Sequence, residues 1–186
     1  MPVTALDPNT ALIVIDLQKG IVALPAVHPI AGVVAQTRAL ADAFRERDWP
    51  VVLVNVAGAP ATRTEQPRRH RAFSEGWTEL VPELNRQPQD HAVTKHTPGA
   101  FTQTGLEAHL LALGVTQVVM AGVATSNGVE VTARQAYELG LNITFACDAM
   151  TDTDADAHAH SVTRVFPKIG ETGTTAEIVA LVRERA

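Results

Sequence analysis

The stretch VVMAGVATSNGVEVTARQAYELG, Val118 to Gly140, decides the fold. Val118 to Ala121 is an apolar run of strand length, GVATSNG turns on small residues, and a helix is expected from near Asn127. A strand entering a helix through small residues leaves backbone N–H groups and the positive helix end at the carboxyl edge of a sheet. Open α/β folds bind ligands there. The functional site is therefore expected at this turn.

Working outward from it, ALIVIDL, Ala11 to Leu17, reads as a central parallel strand buried on both faces and broken at Asp16. A carboxylate at such a strand end is costly to bury unless it is paired or has work to do, although it can also cap the loop that follows. Gly20 to Ile30, with Pro25 and Pro29, is expected to be a loop able to close over a pocket. Apolar residues at Val33, Val34, Leu40, Ala41 and Phe44 have helical spacing, ending at Asp48, Trp49 and Pro50. Val51 to Val56 is a second buried strand. Gly58 to Pro88 is irregular, too long for a plain connection, and carries Arg63, Arg68, Arg69 and Arg71. These arginines are either solvated or paired with Glu65, Glu75 and Glu79, or one of them forks a substrate carboxylate. Phe73 and Trp77 have a packing role or wall the pocket. His91 to Thr94 is a short strand delivering Lys95, and Thr104 with Glu107 forms a capping box for a helix closed by Gly114.

Downstream, Asn142 to Cys147 reads as a fifth strand, with Cys147 a small core residue. TDTDADAHAH, Thr151 to His160, sets Asp154 with His158 and Asp156 with His160 one helical turn apart, which suits a metal or merely a helix dipole; the structural reading is preferred. A short edge strand near Ile169 and a capping box at Thr174 and Glu177 precede a last amphipathic helix. Apolar strands alternating with helices predict a parallel sheet covered on both sides.

At 186 residues and 19.8 kDa, one domain spanning 1–186 is expected. A net charge of −5, with no basic run longer than Arg68 to Arg71, argues against nucleic acid as a partner. No charged-then-apolar leader and no apolar run of membrane length is seen, and the single cysteine suits a reducing compartment, so a cytoplasmic protein with no membrane partner is expected. No glycine fingerprint of a nucleotide loop occurs, so no cofactor is expected.

The run Gly122, Val123, Ala124, Thr125, Ser126, Asn127, Gly128, Val129, Glu130, Val131, Thr132, Ala133 resembles the Gly-Val-x-Thr-x-x-Cys-Val-x-x-Thr-Ala pattern of the isochorismatase-like hydrolases. That superfamily includes nicotinamidases, carbamoylsarcosine amidohydrolases and isochorismatases, and the resemblance covers essentially the whole chain. It implies a three-layer α/β/α Rossmann-like sandwich with a six-stranded, mainly parallel sheet. Asp16 lies in the Ile-Asp-Leu/Met-Gln setting of the family's catalytic aspartate, and Lys95, ahead of Gly99-Ala100-Phe101, matches its catalytic lysine. Gly128 stands where most members carry a nucleophilic cysteine. The resemblance further implies a cis peptide between Val123 and Ala124 that turns the N–H groups of Ala124 and Gly128 toward an oxyanion. Substrate-binding candidates are Gln18, Asn55, Phe101, Thr125, Ser126, Arg63, Arg71 and Trp77. Several amidases of the family begin a metal site after the second strand; Asn55, Val56 and Ala57 offer no such ligands, and no metal is expected there. The resemblance also implies a small-molecule substrate and a homo-oligomer, dimer or larger.

Without a thiol at 128, the cysteine members' attack on an amide carbonyl cannot start. A glycine here resembles the true isochorismatases, which cleave a vinyl ether with the aspartate as general acid, although those show Tyr-Ala-His where this chain has Ala124, Thr125, Ser126. Three readings are open: a cysteine-free hydrolase of an enol ether or related small carboxylated molecule, an amide or imide hydrolase using water or a neighbouring hydroxyl, and a non-catalytic binding or scaffold protein.

Overall fold

The computed structural model describes residues 3–65 and 73–184. Strands β1 (Thr10–Ile15), β2 (Val51–Val56), β3 (His91–Lys95), β4 (Gln117–Val123), β5 (Asn142–Thr151) and β6 (Glu171–Gly173) form one six-stranded sheet in the order β3-β2-β1-β4-β5-β6. Every pairing is parallel. The chain thus lays strands outward on one side of β1 and then, from β4, on the other. Between β1 and β4 the strand order reverses, which leaves a crevice at the carboxyl ends.

Side-chain alternation in the strands divides the core between two faces. Leu12 and Val14 of β1, Leu53 of β2, and Val119 and Ala121 of β4 pack with helix α2 (Ile30–Glu46) and helix α6 (Thr175–Glu184). Ala11, Ile13, Ile15, Val52, Val54, Val118 and Met120 pack on the other face with α3 (Leu106–Ala112) and α4 (Glu130–Glu138). Helix α2 buries Val33, Val34, Thr37, Leu40, Ala41 and Phe44, an apolar stripe at helical spacing. Asp48, at φ 54°, turns the chain out of α2, and Trp49 meets Phe44 edge-on at 5.4 Å. Fully burying a Leu, Ile or Val in β1 stabilises by roughly 1.5–3 kcal/mol each.

Several expectations are corrected. The stretch 20–30 is not all loop, because a one-turn helix α1 (Lys19–Val22) opens it. The fifth strand does not stop at Cys147 but continues to Thr151 after a register shift opposite Met120 and Gly122. Helix α3 has no Thr104–Glu107 capping box: Gly105 is the N-cap, and the Thr104 hydroxyl donates back to the Ala100 carbonyl at 2.5 Å. The second box does form, with Thr174 N–H on Glu177 Oε2 at 2.7 Å and Glu177 N–H on Thr174 Oγ1 at 3.3 Å. Helical turns also begin earlier than Asn127, as a π-helical segment over Thr125–Val129 that runs into α4. Among the described residues no helix is long and apolar enough to cross a membrane.

Candidate active site

Asp16 follows β1, Lys95 ends β3 and Gly128 lies in the π-turn after β4. Asp16 takes a left-handed backbone (φ 51°), uncommon for a residue with a side chain; its N–H donates to Val54 O at 2.9 Å and its carbonyl accepts from Gln18 N–H at 2.8 Å. Its Oδ2 stands 3.0 Å from Lys95 Nζ, which also donates to Pro98 O at 2.6 Å. Asp16 is 6% exposed and Lys95 1%. Asp16 Oδ1 is buried and has no hydrogen-bond partner among the described residues. Burial dominates both ionisations: it pushes the Asp16 carboxyl up to about 6 against the opposing pull of Lys95, and it lowers Lys95 against the opposing pull of Asp16. An acid with that pKa keeps its proton in roughly one molecule in ten at pH 7.

Gly128 completes the cluster. A Cβ placed on it would lie 3.3 Å from Asp16 Oδ2, 3.1 Å from Lys95 Nζ and 2.9 Å from Ile15 Cγ2. The carboxyl and ammonium have therefore closed in on a position that carries no side chain. The Val123–Ala124 peptide is cis, and Val123 and Ala124 line the same cavity as Asp16, Lys95 and Gly128. That cavity has a volume of about 1120 Å³; Arg63, Phe73 and Trp77 also line it, Phe73 stacking on Trp77 at 4.2 Å.

Other candidates are turned to structural work. Thr125 is fully buried with its hydroxyl 2.9 Å from His158 Nδ1, and Ser126 donates its N–H and hydroxyl to Asp152 Oδ2 at 2.7 and 2.8 Å. Neither side chain reaches the cavity wall, because the helical rotation of the turn carries both away from the Gly128 side. Gln18 is fully buried: its Oε1 accepts from Val56 N–H at 2.7 Å, and its Nε2 donates to Val56 O and Trp77 O. Asn55 donates to Thr78 O at 2.7 Å, and Phe101 packs against the core on the α3 and α4 face. Arg68, Arg69 and Arg71 lie outside the described residues. Cys147 packs beside the same core, and burial, then Asp148, push its thiol up to about 11. Among the described residues no group of three or more His, Cys, Asp or Glu is arranged to hold a metal; Asp154 caps helix α5 (Ala155–His160) through Ala157 N–H at 2.9 Å.

The chain matches the Isochorismatase domain over residues 10–177. It belongs to the isochorismatase family. This isochorismatase-family hydrolase is 38% identical over 182 residues to the uncharacterized isochorismatase family protein YwoC of Bacillus subtilis, covering 94% of this chain and 95% of that one. It is 35% identical over 148 residues to streptothricin hydrolase of Streptomyces noursei, covering 79% of this chain and 51% of that enzyme. Its fold superposes on an isochorismatase family protein of Burkholderia thailandensis with a TM-score of 0.92 at 41% identity, over 96% of this chain and 98% of the other.

Two further residues stand beside the site of this hydrolase: Asp152, which the sequence does not mark, and His158, which it offers only as a candidate metal ligand. Asp152 follows β5, lines the cavity and is 4% exposed. Burial pushes its carboxyl up, but hydrogen bonds from Ser126, Thr153 and Asp154 together hold it below the ordinary carboxylate range. His158 is lowered chiefly by burial, then by His28, whose ring it meets edge-on at 4.7 Å. The signal for Asp152 was the one that marked Asp16, a carboxylate at the carboxyl end of a buried strand. Asp148 interrupts the apolar run after Cys147, so the sequence does not show that β5 continues to Thr151.

Proposed function

We propose that this isochorismatase-family hydrolase cleaves the enol (vinyl) ether of a small carboxylated molecule by general-acid catalysis without a covalent intermediate. The observation that supports this most directly is the buried Asp16 carboxyl with a raised pKa, one oxygen without a partner among the described residues, beside Lys95 and over a residue that has no side chain. Protonated Asp16 delivers its proton to the terminal vinyl carbon, and the adjacent carbon becomes an oxocarbenium centre. Water adds to that carbon and returns a proton to Asp16. The hemiketal then breaks its C–O bond, its hydroxyl proton passing to the leaving oxygen, so that a ketone and an alcohol depart. Where the ether carries a carboxyvinyl group, the ketone is pyruvate. Lys95 orients the carboxyl, and with Gly128 there is no thiol to compete.

Ser126 and Thr125 are held by Asp152 and His158, which argues against either as a replacement nucleophile. Arg63 and Trp77, on the cavity wall, are the side chains assigned to the substrate's carboxylate and ring. The same reading takes the molecule as one domain throughout, a cytoplasmic enzyme, and a homo-oligomer joined through apolar surface such as Leu111 and Tyr137, 76% and 54% exposed; sedimentation velocity tests the assembly.

The test of activity is parallel detection of pyruvate and ammonia from a panel of carboxyvinyl ethers and small amides, with wild type and Asp16→Asn. Pyruvate from wild type, reduced roughly a hundredfold or more in the variant, is expected. Ammonia without pyruvate, or pyruvate that survives Asp16→Asn, would overturn the proposal.

A further inference from the structure

We infer that Asp152 is a positioning residue for the active-site turn, holding Ala124 to Gly128 in register with Asp16 and Lys95. The inference rests on the proposed role of that turn. Asp152 stands immediately beyond β5 and is 4% exposed. Its two carboxylate oxygens divide their work. Oδ2 accepts both the N–H and the hydroxyl of Ser126, at 2.7 and 2.8 Å. Oδ1 accepts the N–H of Thr153 at 2.7 Å and of Asp154 at 3.4 Å. Its main-chain carbonyl accepts the N–H of Val27 at 2.8 Å. One residue therefore fastens three separate segments: the π-turn after β4, the entry to α5, and the 23–29 loop that borders the cavity.

A charged acceptor with several N–H donors is a short, strong and directional anchor. What it fastens is the segment between Ala124, whose carbonyl accepts from Asn127 and Val129 N–H at 3.1 Å each, and Gly128, which abuts Asp16 and Lys95. Ser126 lies midway between the two. Releasing it would let Gly128 move relative to the Asp16 carboxyl while every atom of the acid itself stays in place. A misplacement of the order of 1 Å at a reacting centre costs roughly a hundredfold in rate.

The test compares Asp152→Ala, Ser126→Ala and the double variant on whichever substrate the wild type turns over, with each protein shown folded by thermal melting. Expected is a kcat loss of roughly tenfold to a hundredfold in Asp152→Ala. KM should change little, the pH dependence set by Asp16 should not move, and the double variant should be no worse than Asp152→Ala alone. Asp152→Asn, which keeps one acceptor oxygen for Ser126, should recover part of kcat. A variant that melts earlier but keeps wild-type kcat, or losses that simply multiply in the double variant, would overturn the inference.

Should no substrate be turned over, the functional proposal fails separately, and the anchor is read in a Gly128→Cys background by the rate of iodoacetamide alkylation. Slowing by about tenfold on adding Asp152→Ala supports the inference, and an unchanged rate overturns it.

Discussion

Lys95 Nζ stands 3.0 Å from Asp16 Oδ2 although their strands are not neighbours, with β2 lying between β1 and β3. The lysine crosses the end of β2 to hold the carboxyl, and its charge opposes the burial that raises the Asp16 pKa to about 6. A general acid must be protonated, so kcat/KM should be flat below about pH 6 and fall tenfold per pH unit above it. In Lys95→Met the opposing charge is gone, and the break should move to higher pH along with a loss of rate. A pH–rate profile of the two proteins checks this; an unmoved break would show that Lys95 does not act on Asp16.

The same ionisation reports on stability. The folded-state pKa of Asp16, about 6, exceeds the ordinary 3.8, so the folded form binds the proton more tightly than the unfolded form. Its contribution is full below 3.8 and is lost as pH rises through about 6. Asp16→Asn should flatten the pH dependence of the denaturant midpoint over that window.

Gly128→Cys would set a thiol beside an ammonium, since the Cβ position lies 3.1 Å from Lys95 Nζ. That proximity should lower the thiol pKa and speed alkylation, whereas Cys147, pushed up to about 11, should react slowly. Peptide mass spectrometry after timed iodoacetamide treatment distinguishes the two sites. The Ile15 methyl at 2.9 Å must give way, at a cost of about 1 kcal/mol.

Gly122 has φ 115°, and a Cβ there would lie 2.6 Å from Ile15 N and 2.8 Å from Ile15 C, with Ile15 O closer still. These are backbone atoms of the strand next door and cannot swing aside. Gly122→Ala should cost about 3 kcal/mol or more, read as a lowered denaturant midpoint, and a midpoint near wild type would contradict this packing.

Asp90 accepts Arg45 Nε at 3.1 Å and Nη2 at 2.6 Å and the Gln87 N–H at 2.8 Å, with its side chain 1% and that of Arg45 8% exposed. Removing Asp90 takes away a two-point partner, although Arg45 keeps Asp42 Oδ1 at 2.9 Å. Asp90→Ala should destabilise by about 1–3 kcal/mol in equilibrium denaturation, more than loss of the exposed Arg183–Glu46 pair would.

Strands β1 and β2 were legible because their burial is nearly continuous, and helix α2 because its buried residues recur at helical spacing, with composition following burial in each. The strand order was not, since pairing depends on contacts far apart in the chain. One letter pattern behaved in two ways: Thr174 and Glu177 cap α6 reciprocally, while the Thr104 hydroxyl donates to Ala100 O and takes only Leu106 N–H, with no return bond from Glu107 among the described residues. At the site, Asp16, Lys95 and Gly128 were legible through motif and strand position. Thr125 and Ser126 were not, because the roughly 100° of rotation per residue in a helical turn decides whether a hydroxyl faces a cavity or its own scaffold, and where the turn begins is not legible. Asn55 and Gln18 look like ligand-binding amides in the sequence, and only the unpaired main chain beside them reveals their use.

Gln18 shows what that use amounts to. Its carboxamide gives a hydrogen to Val56 O and takes one from Val56 N–H, as the peptide group of an adjacent strand would. A side chain thus impersonates one residue of backbone and lengthens the ladder past the point where β1 bends away at Asp16. Because the same amide nitrogen also grips Trp77 O, the Trp77 side of the cavity wall is spliced to the strand that leads into Asp16. Glutamate, which has the same shape but no hydrogens to give, would break that splice at a single atom.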